Sequence, residues 1–286
     1  MAPYHRPETL PDALRLLASG GAVAAAGCTD LFPATPRAAL SGSVVDLTRV
    51  AELRGISETG EGWRLGAATR WSELLRTPLP PAFDGLKAAA REVGSVQIQN
   101  AGTLGGNLCN ASPAADGVPC LLTLEAEVEL ASARGDRRLP LATFITGARR
   151  TALDPGEVLV ALHVPARAAR GRGAFRKLGA RRYLVISIAM VAARLELAGG
   201  RIATAALSVG ACGPVATRLP AQEAALLGLA PDAAAAQVSA ALVAPALSPI
   251  GDVRGGAEYR IEAAVELLRR ALSDLTIQGF AKGDMR

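Results

Sequence analysis

A chain of 286 residues buries about three quarters of its unfolded surface on folding, so it needs no disulfide or metal staple. Half of the residues are hydrophobic and 20% are charged, a globular balance that excludes disorder and collagen-like or coiled-coil architectures. The net charge of +5 rests on arginine, with only Lys87, Lys177 and Lys282 as lysines, and no basic run is interleaved with aromatics as a nucleic-acid surface would require.

Residues 8–19 read as a short helix with Leu10, Ala13, Leu14 and Leu17 on one face. Gly20-Gly21 ends it. Ala22–Ala26 follows as an apolar strand and residues 27–36 as a loop rich in Gly, Thr, Asp and Pro. Ser43–Leu47 and Trp63–Ala68 read as strands, Trp71–Arg76 starts a helix with Ser72 as its cap, and Asp84–Val93 is a helix with Leu86, Ala89, Ala90 and Val93 inward. Gly94–Pro119 holds too many Gly, Asn and Ser residues for a regular element and is expected as a long structured loop, which is usually functional. Cys120–Leu124 looks helical; Ala126–Leu130, Arg137–Leu139 and Glu157–Val164 look like strands; the basic, Ala- and Gly-rich residues 166–173 read as a linker. Beyond it, Ala174–Lys177, Ile186–Leu197 and Ile202–Val209 are strands, the last two joined by the hairpin signal Ala198-Gly199-Gly200-Arg201. Pro220–Leu227, Pro231–Val243 and Glu258–Leu272 are helices, the last with Ile261, Ala264, Val265, Leu268 and Leu272 on one stripe. The expected class is α+β: a mixed domain, then an antiparallel sheet with helices.

The four cysteines, Cys28, Cys109, Cys120 and Cys212, include no CxxC pair, and His5 and His163 are the only histidines, so this chain is not expected to hold zinc or an iron–sulfur cluster. Cys28 and Cys109 read as packed small side chains, and His163, in an apolar strand, as structural. The N-terminus lacks the basic-then-apolar order of a signal peptide. No run of 18 apolar residues is free of charge, Gly and Pro, so no membrane span is expected and a cytoplasmic location is the simplest.

Two glycine loops carry chemistry. In Ala26-Gly27-Cys28-Thr29-Asp30-Leu31, directly after a strand, backbone N–H groups in an open turn can donate to phosphate oxygens; a plain turn is the alternative. In Gly102-Thr103-Leu104-Gly105-Gly106-Asn107 the paired glycines permit positive φ and close approach of a ligand. Thr103 and Ser112 can donate to phosphate, Asn107 can donate and accept, and Asp116 can accept from a ribose hydroxyl. The GxxGG spacing is neither GxGxxG nor GxxxxGK[ST], so neither a Rossmann site nor a P-loop is indicated, and a glycine-rich surface loop is the other reading.

The segment GSVQIQNAGTLGGNLCNASPAADGVPCLLTLEAEVEL closely resembles the FAD-binding (medium) subunit of molybdenum hydroxylases, the family of xanthine dehydrogenase and aerobic carbon monoxide dehydrogenase. AGCTDLFP resembles that family's first loop, AGGTDLLP, with Cys28 in place of the second glycine. FRKLGARRYLVISIAM resembles the opening of its C-terminal domain, and DVRGGAEYR, residues 252–260, its closing helix motif. The resemblance spans the whole chain. It implies a two-lobed FAD-binding domain of the vanillyl-alcohol-oxidase (PCMH) type over residues 1–165, with lobes of about 1–55 and 56–165, and a smaller antiparallel-sheet-plus-helices domain over 174–286, similar to the CO dehydrogenase flavoprotein C-terminal domain. It implies FAD between the lobes, contacted by Ala24, Ala25, Ala26, Gly27, Cys28, Thr29, Asp30 and Leu31, by Thr103, Leu104, Gly105, Gly106 and Asn107, and by Val93, Asp116, Leu159 and Lys177.

The same resemblance implies an oxidoreductase subunit with no catalytic residue for substrate hydroxylation and no metal of its own. Electrons would come from two [2Fe–2S] clusters on a small partner subunit, a large subunit would hold the molybdenum cofactor, and NAD⁺, a quinone or O₂ would be the acceptor, in a heterotrimer. The basic segment from Arg170 to Arg182 has two readings, a solvated face, or Lys177 with Arg181 or Arg182 near the flavin and Tyr183 over its ring. Two alternatives stand beside it: a stand-alone flavin oxidoreductase, and an assembly subunit that has lost FAD, for which Cys28 is the one feature in favour.

Overall fold

The computed structural model describes residues 3–35, 40 and 42–277. Pro36, the expected end of the first loop, and residues 278–286 of the expected C-terminal domain lie outside the described residues. The strands β1 (Tyr4–His5), β2 (Ala22–Ala25) and β3 (Ser43–Asp46) form a small parallel sheet in the order β1-β3-β2. The helix α1 (Leu10–Ala18) packs Ala13 and Leu17 into the core of this first lobe; its Thr9 cap accepts from the Asp12 N–H at 3.3 Å.

The second lobe follows as β4 (Ile56–Thr59), β5 (Gly62–Gly66), α2 (Trp71–Arg76), α3 (Asp84–Glu92), α4 (Val96–Ala101), α5 (Leu104–Asn110), α6 (Gly117–Thr123), β6 (Glu127–Ser132), β7 (Gly135–Pro140), α7 (Leu141–Phe144), β8 (Ile145–Gly147), β9 (Arg150–Thr151) and β10 (Val158–Pro165). Its antiparallel sheet runs β4-β5-β10-β6-β7. The central strand β10 serves two cores. Val158 and Val160 pack with the first lobe, whereas Leu159, Leu162 and Val164 pack under the second. A register shift between Leu159 and Ala161 changes which face the following residues present, as a bulge does.

The last sheet is antiparallel, in the order β11 (Arg172–Leu178), β12 (Ala189–Ala198), β13 (Arg201–Gly210), β14 (Thr217–Arg218). The helices α8 (Pro220–Ala224), α9 (Ala240–Val243) and α10 (Ala257–Ile277) follow. Ala189, Val191, Ala193 and Leu195 of β12 face Ala264, Leu268 and Leu272 of α10, while Met190 and Ala192 enter the core of the second lobe. Both faces are covered, which is why the strand reads as a nearly continuous apolar run. Its one charged interior residue, Arg194, is 1% exposed and donates to the Thr123 carbonyl at 2.8 Å, closing the C-terminal end of α6.

Four expectations are corrected. Gly94–Pro119 is mostly helical: Ser95 and Thr103 are N-caps, accepting from Ile98 at 3.4 Å and from Gly106 at 3.1 Å, and the glycines serve packing. Residues 166–173 are not a free linker. A Cβ on Gly173 would lie 2.3 Å from the Ala82 carbonyl oxygen, so glycine lets β11 touch the turn before α3. Ser72 lies inside α2 rather than at its cap; the Glu73 carboxylate accepts from the Arg70 N–H at 3.0 Å. The alanine-rich Pro231–Val243 breaks into short turns before α9. The buried Gln222 donates to the Gln237 carbonyl and accepts from the Ser239 N–H, both at 3.1 Å, and Arg269 takes the Val238 carbonyl at 2.9 Å, so these groups are lost to a helix ladder. Among the described residues no helix is long and apolar enough to cross a membrane.

The motif at 252–260 acts as a fastener. Asp252 accepts from Arg254 and Arg260 at 2.7 Å each, and the buried Arg260 also donates to the carbonyls of Ile188 and Ala211, tying α10 to the start of β12 and the end of β13. The Arg254 guanidinium hydrogen-bonded to Asp252 holds its carboxyl well below the usual carboxylate range. A lowered carboxyl stabilises the fold above its unfolded pKa and loses that effect as pH falls through the folded value. Asp252→Asn is therefore expected to lower Tm at neutral pH, and thermal melts across a pH series should show the gap to wild type closing below about pH 4.

Candidate functional site

A cleft of about 400 Å³ opens between the two lobes, a volume in the range of small-molecule sites. Its near wall is the segment that leaves β2, Ala24 to Leu31; its far wall is the start of α5 with Gly102, Thr103, Gly105, Gly106 and Asn107; Val93, Ile98 and Trp71 close one part and Leu153, Glu157, Val158 and Leu159 another. The walls meet at Gly27. A Cβ there would stand 2.2 Å from the Ala101 carbonyl oxygen, so only glycine lets the loop lie on the α4–α5 junction.

The two loops divide the chemistry unequally. On the far wall the N–H groups are already used: Leu104 donates to Thr69 at 3.0 Å, Gly105 to Ala67 at 2.8 Å, Gly106 to the Thr103 hydroxyl at 3.1 Å and Asn107 to the Thr103 carbonyl at 3.1 Å. On the near wall, among the described residues, the N–H groups of Gly27, Cys28, Thr29, Asp30 and Leu31 have no protein acceptor. A run of free N–H groups around a left-handed residue is an anion-binding nest. That residue is Cys28, at φ +58°. The cysteine thus occupies a left-handed position that glycine would take without strain, at a cost of about 1–2 kcal/mol from its Cβ. It is half-buried, with Sγ 3.4 Å from the Ala26 carbonyl, and burial pushes its thiol pKa up.

Charge in the lining is sparse. Asp30 and Glu157 are the charged residues among the described residues that line it, and no lysine or arginine does. Glu157 is engaged by the Arg137 fork at 2.7 and 2.8 Å and by the Asp154 N–H at 2.8 Å. The Arg137 contact holds its carboxyl below the usual range. Among the described residues, attraction for an anion in this cleft thus comes from backbone dipoles rather than from cationic side chains. One polar atom is left without a partner: the buried Oδ1 of Asn107. A buried acceptor left unpaired costs about 1–3 kcal/mol, a deficit that a ligand donor would remove.

Most residues singled out from the sequence meet here: Ala24 to Leu31, Val93, Thr103, Gly105, Gly106, Asn107 and Leu159 all line the cleft. Three do not. Leu104 is fully buried in the second-lobe core. Asp116 and Lys177 face each other, with Nζ 2.6 Å from Oδ2; Asp116 also accepts from the Ser187 hydroxyl at 2.6 Å, and Lys177 reaches the Val185 carbonyl at 3.3 Å. Burial raises the Asp116 pKa, with the Lys177 ammonium opposing it. This buried pair joins the start of α6 to β11 and the segment after it. Ser112 accepts from the Ala114 N–H at 3.3 Å in a local turn outside the cleft. Cys109 is exposed on the cleft rather than packed in the core, because α5 turns that face outward. His163 stands outside the cleft, its Nε2 2.5 Å from Glu129. Residues not anticipated include Ala67, Ala68, Trp71, Ile98 and Glu157; the Ala-Ala-Thr-Arg-Trp stretch leaving β5 was the available signal, but it reads locally as a strand end and a helix start.

The family profile described as "FAD binding domain in molybdopterin dehydrogenase" matches residues 1–167, and that described as "CO dehydrogenase flavoprotein C-terminal domain" matches residues 165–275. The chain belongs to the family of FAD-binding medium subunits of molybdenum hydroxylases. It is 34% identical over 275 residues to the carbon monoxide dehydrogenase medium chain of Afipia carboxidovorans, covering 94% of each chain. It is 31% identical over 278 residues to the xanthine dehydrogenase FAD-binding subunit of Escherichia coli O157:H7, covering 96% of this chain and 95% of that one. Its fold superimposes on a chain of carbon monoxide dehydrogenase from Hydrogenophaga pseudoflava with a TM-score of 0.88 at 32% identity, covering 96% and 97% of the two chains. The residues present fit FAD: the free N–H row suits a pyrophosphate, and the orphaned Asn107 Oδ1 suits a hydroxyl or N–H donor of the cofactor.

Two outcomes test this geometry. Asn107→Leu removes the unpaired acceptor and should stabilise the FAD-free protein in chemical denaturation, by about 1 kcal/mol, while weakening FAD binding in a fluorescence titration. Lys177→Met leaves the Asp116 carboxylate buried without its ion-pair partner and should cost about 3–5 kcal/mol of unfolding free energy. Unchanged stability with weaker FAD binding would instead mean that Lys177 serves the cofactor directly.

Proposed function

We propose that this chain is the FAD-binding electron-transfer subunit of a molybdenum hydroxylase. In that reading it receives electrons from [2Fe–2S] clusters of a small subunit, works beside a large molybdenum subunit, and passes electrons to NAD⁺, a quinone or O₂. Bound FAD supplies the exchange between single electrons and electron pairs. The chain's own part is to hold it. Gly27 to Leu31 donate N–H groups to the pyrophosphate, Thr103 and Asn107 contribute a hydroxyl and an amide, and Val93, Trp71 and Leu159 shield the apolar parts from water. The remaining residues singled out from the sequence, Ala24 to Ala26, Gly105 and Gly106, supply close backbone walls, and Leu104, Asp116 and Lys177 support the site from behind. The division into residues 1–165 and 174–286 follows the same reading, with a core shared across the boundary by Phe175, Met190 and Ala192.

The observation that carries the proposal is a row of N–H groups without a partner among the described residues on one wall of a cleft whose other wall carries Asn107, with its Oδ1 unpaired. Cys28 is the one feature in favour of a scaffold without FAD; its left-handed backbone, which is the conformation a glycine there would favour, supports the FAD-binding reading instead. The test is the visible absorption spectrum of the chain, purified with whatever accompanies it, before and after dithionite. A bleachable flavin band with iron–sulfur absorption and two further subunits is expected. Gly27→Ala should lose the flavin band, because its methyl group collides with Ala101. A wild-type preparation that stays colourless after FAD is supplied would replace this proposal with the scaffold reading.

A further inference from the structure

A second cavity, of about 410 Å³, lies beside the first and shares its wall: Glu92 lines this one and the next residue, Val93, lines the cleft. Glu92, Phe175, Arg176, Lys177, Arg181 and Arg182 surround it. Two of the four cations are already neutralised, Arg176 by Asp274 at 2.6 Å and Lys177 by Asp116 at 2.6 Å. The other two are not. Among the described residues Arg181 meets only the Leu184 carbonyl, and Arg182 lies over the Tyr183 ring at 5.2 Å; neither has a carboxylate partner. Tyr183 itself is 55% exposed, next to a left-handed Leu184 at φ +52°.

We infer that this cavity binds the electron acceptor, and that the acceptor is a pyrophosphate-bridged dinucleotide of the NAD type. The inference rests on the electron-transfer reading above and chooses among the acceptors it leaves open. Guanidinium groups match phosphate oxygens with paired donors, and two uncompensated ones suit a pyrophosphate. A carboxylate such as Glu92 repels an anion but accepts from ribose hydroxyls, which is how dinucleotide sites use an acidic residue. Next to the lining residue Arg182, which lies over one face of its ring, the exposed Tyr183 offers the other face to a base or a nicotinamide. A neutral quinone gains nothing from two free guanidinium groups, and O₂ has no use for a cavity of this size. The shared Glu92–Val93 wall sets the occupant against the flavin cleft, where an acceptor must stand.

The test uses the purified complex with its flavin and the probe ADP-ribose, which carries the pyrophosphate and one nucleoside but no redox ring. Calorimetric titration is expected to show binding that weakens by about tenfold in Arg181→Ala and in Arg182→Ala and falls with added salt. Arg270→Ala, on the exposed face of α10, is the control and should bind as wild type. In steady state, ADP-ribose should compete with NAD⁺, and the KM for NAD⁺ should rise in both arginine variants relative to the KM for a neutral quinone. Three results would overturn the inference: no ADP-ribose binding by the wild type, binding that both arginine variants leave unchanged, or equal loss of all acceptors with loss of another subunit, which would make this face a docking surface. Flavin content, read from absorbance in the same samples, separates these failures from failure of the flavin reading. ADP-ribose that binds a flavin-free sample regardless of Arg181 and Arg182 is occupying the cleft instead.

Discussion

The backbone contact between Gly27 and Ala101 is the constraint on which the site depends. It brings a loop from a three-stranded parallel sheet onto the junction of two short helices in another lobe, with no room for a single added carbon. Once that contact is made, the segment from Gly27 to Leu31 lies across a cleft from α5. The hydrogen-bonding capacity of that segment's N–H groups is committed to whatever enters the cleft. The first lobe is too small to form such a site alone. Its core includes Val158 and Val160 of β10, so the strand that completes the second sheet also completes the first lobe.

The same economy governs the C-terminal sheet. β12 alternates between two cores, one under α10 and one under α3 and α6, so the sheet is the middle layer between helices of both parts of the chain. Polar side chains fasten it where packing alone would leave backbone groups unpaired. Arg194 closes the end of α6, Arg260 gathers carbonyls from two strands, and the Lys177–Asp116–Ser187 cluster links α6 to the segment after β11. Each is buried and fully engaged, which is the condition under which a charge inside a protein supports the fold rather than weakening it.

The cofactor site uses an electrostatic arrangement different from the protein's average. The chain is basic overall, yet among the described residues the cleft is lined by two carboxylates and no cation. Backbone dipoles can hold a pyrophosphate without long side chains, and so without ordering flexible groups. Two guanidinium groups without a carboxylate partner among the described residues stand instead one wall away, at the cavity that Glu92 also lines. The left-handed conformation of Cys28 belongs to the same scheme: a strained turn is tolerated where it aims N–H groups at a ligand.

Much of this was legible in the residues themselves. Periodicity marked α1, α3 and α10, the hairpin signal marked β12 and β13, and the two glycine loops with their ordered motifs marked the family and nearly all of one wall of the site. Local pattern misread the places where glycine and alanine serve contacts made elsewhere. The Gly- and Asn-rich stretch after α3 is helical, half of the apparent linker at 166–173 is a 3-10 turn that leads into β11, and the alanine run before α9 is broken by side chains from α8 and α10. Asp116 is expected as a cofactor contact from its residue type and from the resemblance, and Lys177 from the resemblance; that the two side chains face each other is a tertiary fact that neither signal carries. The sequence by itself determined which groups could bind an anion, because donors, glycines and their spacing are chain-local properties. Only the tertiary structure decided which of those groups stayed free. A hydrogen bond is committed by partners far along the chain: Ala67, Thr69 and Thr103 take the donors of the second loop, while among the described residues nothing takes those of the first.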